Sequence, residues 1–569
     1  MVVTSKRVTL LLILCLSLLS LALRYPLVEH ERCQADSYSM HLLANAIVSR
    51  GYAAWTFHPL SYIGYYPFSY PSGSPFLLAE ISIQTGLGLE SSILITNYAL
   101  AILFCLAVFC LVRVFVSDAR FVLLAVFFAI CGSRFVDTTY WDGSARGPVA
   151  VIAVLALVAL FRVGATKQRV LYGIGAAFCF ACLALHHMAV LFLLFGVAYM
   201  MATLAGQFLR PRMGTAFRRV ATFYFVSSAV AITIASFGLF EYFGKLATTS
   251  LQSESLPKIE SPILSVLLNM AVAYTIQIGL IAPVAILGIV TVLRDSRLSV
   301  EDMYPPMLLL TFIPLLGNQL YVSMVLLPFA AILAVKFLGR QMRRRSRKKA
   351  FVLLLSLLIV SAPVLSMWST DRWNSKSYLP GDTVEVEPTV FNDGIYLGSS
   401  LPDAYFISNN FVLQLELAAL SGVDQMTSGI PLVLSGDIKS EDVKGNLTLS
   451  DTSFPLYPYD PFEYENESNV DLYALVLMRY GVEIVAGSRN PNVKLQEFVA
   501  SHSNMLVVVD SRWPDRFLNV YGANIESKFV NEVKEALWSE TSTSRYLPLE
   551  SYAVYASQRS TYYLVRVPT

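Results

Sequence analysis

The segment ERCQADSYSMHLLANAI (residues 31–47) sets one carboxylate, Asp36, ahead of a run in which Met40, Leu43, Ala44 and Ile47 recur at helical spacing. The periodicity predicts a helix from about Tyr38 to Val48, with Gly51 as its C-terminal stop. Asp36 then sits just before that helix. Its plain reading is an N-cap, in which the carboxylate accepts backbone N–H groups. Its chemical reading is a general base or a ligand for a hard cation. The two readings are compatible. A second acidic stretch, SRFVDTTYWDGSARGP (residues 133–148), carries Asp137 and Asp142. Between the two stretches, Tyr62, Tyr65, Tyr66 and Tyr70 alternate with Pro67, Pro71, Gly73 and Pro75. That composition predicts a rigid aromatic loop, either an interfacial belt or a shaped groove.

What must position these residues is a membrane. Of 569 residues, 55% are hydrophobic and 14% charged, against about 25% charged in soluble domains. Apolar runs near 7–24, 93–116, 120–134, 147–163, 170–185, 188–208, 219–243, 263–293, 304–317, 320–338 and 350–368 predict about eleven spans. The first run follows Lys6 and Arg7 but has no small-residue cleavage site after it, so it reads as a retained helix. The fold class expected is therefore a multi-span α-helical membrane protein, residues 1–368, with a large first external loop at 25–92. A soluble domain, residues 369–569, follows it.

Charge fixes the orientation. The net charge of +2 conceals a balance of +14 over residues 1–368 and −12 over residues 369–569. With the N-terminus inside, the basic clusters all fall on the cytoplasmic side, including the run from Arg340 to Lys349. That run is a topology signal between two spans rather than a nucleic-acid patch. An odd number of crossings leaves residues 369–569 outside, in a cell-membrane protein with an extracytoplasmic C-terminal domain. The same topology places Glu29, Glu31, Asp36, Asp137, Asp142, His186 and His187 at the outer face. Ionisable groups near a membrane plane are costly to keep and tend to be functional.

Taken together, the external Asp36 before an amphipathic helix, the HPLS stretch, the YPSGSP turn and the following apolar helix resemble the first loop of GT-C glycosyltransferases. Those are multi-span enzymes that use polyprenyl-phosphate-linked sugars. Within that superfamily the chain is most similar to the STT3/AglB oligosaccharyltransferase branch. Its first-loop Asp, matched here by Asp36, is catalytic and metal-binding. Asp142 matches the second acidic motif, with Asp137 the alternative. The departures are specific: Gly143, Ser144 and Ala145 stand where an acidic partner often follows, and no WWD-type motif occurs, only DRW (371–373) and RWPD (512–515).

The resemblance implies transfer of a sugar or oligosaccharide from a polyprenyl phosphate or pyrophosphate. That reaction breaks the anomeric C–O bond, needs a base for the acceptor and needs positive charge for the leaving phosphate. Asp36 and Asp142 are the expected catalytic carboxylates. Asp36, Asp142, Asp137 and His186 are candidate ligands of a divalent cation, Mg2+ or Mn2+. Arg134, Arg146, Arg32 and His187 are candidate phosphate ligands, with Lys245 a further one. Each Arg is equally readable as an interfacial anchor, and His186–His187 as a polar turn. Glu29 and Glu31 read as solvated flanks, and the polar loop 244–262 as a cover over bound substrate.

Past Trp368, DAYFISNN, YGVEIVAG and SNMLVVVD read as buried strands and FVNEVKEALW as a helix. The tail from Ser551 reads as a β-hairpin, giving an α/β or α+β domain. Sequons at Asn446 and Asn466 are consistent with an outward face. All seven Cys precede residue 183, so the outer domain is not a disulfide scaffold. No P-loop, dinucleotide-binding glycine pattern, HExxH or nucleophile elbow is present. The expected partners are a polyprenyl-linked donor, membrane lipids and a protein, lipid or glycan acceptor, with no nucleic acid. Two rivals remain: a polytopic transporter or flippase, and a membrane-anchored binding domain.

Overall fold

A computed structural model describes residues 6–32, 35–51, 56–57, 65–66, 73–166, 169–186, 189, 191–208, 262–294, 299–312, 315, 319–342, 348–374, 388–400, 405–408, 411–421, 446–449, 452–455, 505–510, 550–556 and 560–566. In chain order its helices are α1 (Lys6–Ala22), α2 (Ala35–Arg50), α3 (Gly73–Thr85), α4 (Leu89–Phe115), α5 (Ala119–Ile130) and α6 (Ser133–Asp137). Next come α7 (Arg146–Thr166), α8 (Arg169–Leu185), α9 (Phe192–Phe208), α10 (Pro262–Ile278), α11 (Ile281–Leu293) and α12 (Val300–Thr311). The last four are α13 (Gln319–Met342), α14 (Lys348–Asn374), α15 (Pro388–Ser400) and α16 (Phe411–Ser421). The strands are β1 (Thr56–Phe57), β2 (Tyr65–Tyr66), β3 (Tyr405–Ser408), β4 (Asn446–Leu449), β5 (Thr452–Pro455), β6 (Met505–Asp510), β7 (Glu550–Ala556) and β8 (Ser560–Arg566).

The chain divides into two compact units. One comprises residues Met1–Leu27 and Leu94–Trp373, the other Val28–Ile93 and Asn374–Thr569. The first is a bundle of apolar helices. Among the described residues, stretches of α4, α13 and α14 are long and apolar enough to cross a membrane, and the α10–α11 pair makes a fourth if taken as one span. Shorter apolar helices accompany them in α1, α5, α8 and α9. Leu10, Leu18, Leu353 and Val360 stand exposed on α1 and α14, as lipid-facing residues do.

Local chemistry sets the helix ends. Asp118 caps α5 by accepting the Arg120 N–H at 3.0 Å. Ser299 and Asp302 form a capping box at α12, and Asp302 also accepts from Lys336 Nζ of α13 at 2.5 Å. The run 263–293, expected as one span, is two helices meeting at 99°. The cause is Gly279, whose φ of +93° ends α10 while its N–H bonds Thr275 O at 2.9 Å. The expected run 219–243 lies outside the described residues.

Rings fill the centre of this bundle. Tyr304 of α12 sits 4.8 Å from Phe161 of α7 and 5.6 Å from Phe329 of α13, ring centre to ring centre. Small residues let backbones approach: a Cβ at Gly288 of α11 would collide with the Leu333 carbonyl of α13.

In the second unit α2 packs against α3 and α16, and α15 packs against α16. Asn45 Nδ2 donates to Ala419 O at 2.9 Å. A four-stranded mixed sheet runs in the order β3-β6-β8-β7, with β3 and β6 parallel and the other two pairs antiparallel. Its β7–β8 hairpin lies where the tail pattern places one. The expected strand YGVEIVAG, the expected helix FVNEVKEALW and Asn466 lie outside the described residues.

Candidate active site

The acidic stretch 133–148 is buried almost throughout. It leaves α5 at Cys131, makes the single turn of α6 and enters α7 at Arg146. Asp137 is 6% exposed and its Oδ1 accepts from Thr370 Oγ1 of α14 at 3.1 Å. Asp142 is 3% exposed and is held at both ends. Its Oδ1 accepts the Ser144 N–H at 2.9 Å, and its backbone carbonyl accepts from Asn97 Nδ2 of α4 at 3.0 Å. The first contact is an Asx turn, the local bond that short carboxylates make to the backbone two residues on. Immediately before it, Trp141 has φ 49°, a left-handed conformation rare for a bulky residue. Such strain persists only where the surroundings enforce it.

Arg24, just after α1, ties down the same stretch at Thr139. It is fully buried, with Nε donating to Thr139 Oγ1 at 2.6 Å and Nη1 to Ser20 O at 2.8 Å. Its guanidinium also lies 4.8 Å from the centre of the Phe135 ring. Sequence reading takes Arg24 only as the end of the first apolar run. The available signal is that an arginine closing a span must find partners.

Arg146 and His186 meet a common neighbour. The Arg146 guanidinium carbon is 5.2 Å from the centre of the Tyr321 ring, and the His186 ring centre is 6.0 Å from it. Tyr321, on α13, has no distinguishing sequence context among the 30 tyrosines. One turn further along α7 and α13, Val149, Ala150, Met324 and Val325 begin an apolar cavity that runs past Leu157, Phe195 and Phe329. A cationic and aromatic cluster therefore lies one helical turn from a small apolar cavity of about 20 Å³. The guanidinium of such a cluster suits an anionic group. Arg134 is buried on α6, at 4% exposure.

In the second unit, helix α2 begins at Ala35, so Asp36 lies within its first turn rather than ahead of it. Its own backbone is helical, where a cap residue's is extended. Glu31, expected as a solvated flank, is wholly buried. Its Oε2 is 2.9 Å from His41 Nδ1, and its Oε1 accepts from Ser37 Oγ at 3.5 Å. Its backbone N–H donates to Glu90 Oε1 at 2.8 Å, and Glu90 Oε1 is 3.2 Å from His30 Nδ1. The His30 ring stacks on Phe391 of α15, centres 3.8 Å apart. Burial opposes the charged form of His41, but the charge and hydrogen bond of Glu31, with the charge of Glu90, push its pKa above the usual 6.5. Arg32 is buried and Glu29 exposed. The sequence signal missed here is the i, i+10 spacing across a helix start, which carries no pattern until the helix folds back on residue 31.

Among the described residues no three His, Cys, Asp or Glu side chains converge as a metal-binding group. The Asp36 side chain, His187 and Lys245 lie outside the described residues. What Asp142 offers is a buried carboxylate, an oxygen donor of the kind Mg2+ and Mn2+ favour.

No family model matches the sequence, and no curated protein matches it. Solved structures do. The crystal structure of the Archaeoglobus fulgidus oligosaccharyltransferase tethered with an acceptor peptide containing the NVT sequon matches with a TM-score of 0.54 at 12% identity, over 90% of this chain and 70% of that one. The archaeal oligosaccharyltransferase AglB from Archaeoglobus fulgidus, in complex with an inhibitory peptide and a dolichol-phosphate, matches at 0.50 and 12%, over 89% and 69%. The Archaeoglobus fulgidus oligosaccharyltransferase in complex with Zn and sulfate matches at 0.50 and 13%, over 88% and 68%. The chain has the fold of these oligosaccharyltransferases, in line with the first-loop resemblance.

Proposed function

We propose that the chain is an integral-membrane GT-C glycosyltransferase that moves a sugar or oligosaccharide from a polyprenyl-phosphate or pyrophosphate donor to an acceptor outside the cytoplasm. The observation that carries the reading is the cluster of Arg146, Tyr321 and His186 beside the buried Asp142 loop. It supports a ligand with an anionic, phosphate-like head. The fold shared with oligosaccharyltransferases solved with a dolichol-phosphate and with a tethered acceptor peptide supports the same ligand class.

In this mechanism Asp36 takes the proton from the acceptor's nucleophile as the new bond to the anomeric carbon forms. The anomeric C–O bond to the phosphate breaks, and the electron pair leaves with the phosphate oxygen. Arg146 holds that developing charge, since a guanidinium binds phosphate oxygens in pairs. Arg134, Arg32 and His187 remain candidate phosphate ligands on the same resemblance. Asp142 would supply a carboxylate oxygen to a divalent cation, with Asp137 and His186 as alternative ligands, and Asp36 is a candidate ligand on the resemblance alone. Mg2+ commonly takes one or two carboxylates and completes its shell with water and substrate phosphate. Such a cation would add positive charge against the phosphate.

One observation favours a second reading. The 99° break at Gly279 between α10 and α11 is the kind of discontinuous helix that transporters use. Purified full-length protein, supplied with dolichyl-phosphate- and dolichyl-pyrophosphate-linked sugars, distinguishes the two. Release of the phosphorylated lipid, lost in Asp36→Ala and Asp142→Ala, supports transfer. Movement of the intact lipid-linked sugar across vesicles without release supports transport instead.

A further inference from the structure

Glu31 has no part in the mechanism above, yet it is among the most completely buried carboxylates described. Its two oxygens reach Ser37, the residue after Asp36, and His41 one turn further along α2. Its backbone N–H is tied to Glu90 in the first turn of α4, and the neighbouring His30 bonds the same Glu90 oxygen while stacking on Phe391. Residues 30–31 are therefore anchored to α4 and α15, and the carboxylate carries that anchorage across residues 32–36 into the start of α2.

A helix start placed only by apolar packing can slide or fray, because its first four N–H groups lack intrahelical partners. A buried carboxylate bonded one and two turns into the helix removes that freedom. We infer that Glu31 and His41 are positioning residues that fix the first turn of α2, and with it Asp36, for the transfer reaction. The inference rests on the proposed role of Asp36. It assigns to Glu31 no contact with substrate.

The test uses full-length protein and the dolichyl-linked donor that the wild type turns over. Glu31→Ala and His41→Ala are expected to lower kcat at least tenfold with donor KM changed less than twofold. The double variant should be no worse than either single one, as for two residues acting as a unit. His41→Asn, whose amide N–H stands near the Nδ1 position, should recover most of the lost turnover. It is compared with His41→Ala, which keeps the question answerable where loss of the buried carboxylate prevents folding.

Full turnover in His41→Ala or Glu31→Ala, with Asp36→Ala inactive, would overturn the positioning role while leaving the Asp36 reading intact. A raised KM at unchanged kcat, or no recovery in His41→Asn, would also overturn it. Full turnover in Asp36→Ala would instead remove the reading on which the inference stands.

Discussion

The Glu31 carboxylate lies 2.9 Å from His41 Nδ1, with both side chains buried. The pair joins the segment before α2 to its second turn. Because the folded-state pKa of His41 is raised above 6.5, the charged pair contributes stability that is fully present below the unfolded pKa. It is lost as pH rises through the higher folded value. Thermal melts of the detergent-solubilised protein should therefore fall in midpoint as pH rises above about 6.5. His41→Asn should flatten that dependence. An unchanged pH profile in the variant would show that another group governs it.

Asp142 permits a separation of folding from chemistry. Asn keeps a side-chain oxygen for the Ser144 N–H, so Asp142→Asn should melt within about 0.5 kcal/mol of wild type. Asp142→Ala should lose about 1 kcal/mol with that hydrogen bond. Both should lose sugar transfer. Wild-type turnover in Asp142→Asn would mean that the negative charge is not needed.

Tyr321 presents its ring face to the Arg146 guanidinium. An interaction of about 1 kcal/mol corresponds to about fivefold in binding. Tyr321→Ala should raise donor KM by roughly that factor, whereas Tyr321→Phe, which keeps the ring, should not. Equal effects of Phe and Ala would assign the contribution to the hydroxyl instead.

Arg24→Met should destabilise the helical unit by about 2–3 kcal/mol. It removes a buried charged donor from Ser20 O and Thr139 Oγ1. Because Thr139 lies three residues before Asp142, turnover should fall as well. Arg24→Lys should rescue little, since an ammonium does not reproduce the guanidinium's fork of donors. Thermal inactivation and turnover measured together check this.

At Gly288 a single methyl suffices as a probe. A Cβ there meets the Leu333 carbonyl and side chain, so Gly288→Ala must push α11 from α13 at a cost of about 1–3 kcal/mol. Gly173→Ala, at a glycine with open space around it, is the control and should be neutral or stabilising. Equal melting of the two variants would contradict the close approach.

Much of this protein is written in one dimension. Hydropathy locates the helices, because apolar length is a sum over consecutive residues that no partner can alter. Charge asymmetry sets the expected orientation for the same reason. The sequence also marks Asp36 and Asp142, as carboxylates in an apolar half-chain, and the first-loop pattern points to the fold that the solved structures share. Other features depended on which segments fold back on each other. Gly279 splits one apolar run into two helices because its φ is positive, and hydropathy averages do not register a dihedral angle. Glu31 is buried because α2 and α4 close on it, although its sequence neighbours suggest a solvated flank. Tyr321 joins Arg146 and His186 from 175 and 135 residues away. Residues 28–93 group with the C-terminal unit because α2 finds its packing partners in α3 and α16. Such partnerships are long-range contacts, fixed by packing and hydrogen bonding in three dimensions. Composition and spacing determined what each segment is; only the tertiary structure decided which segments meet.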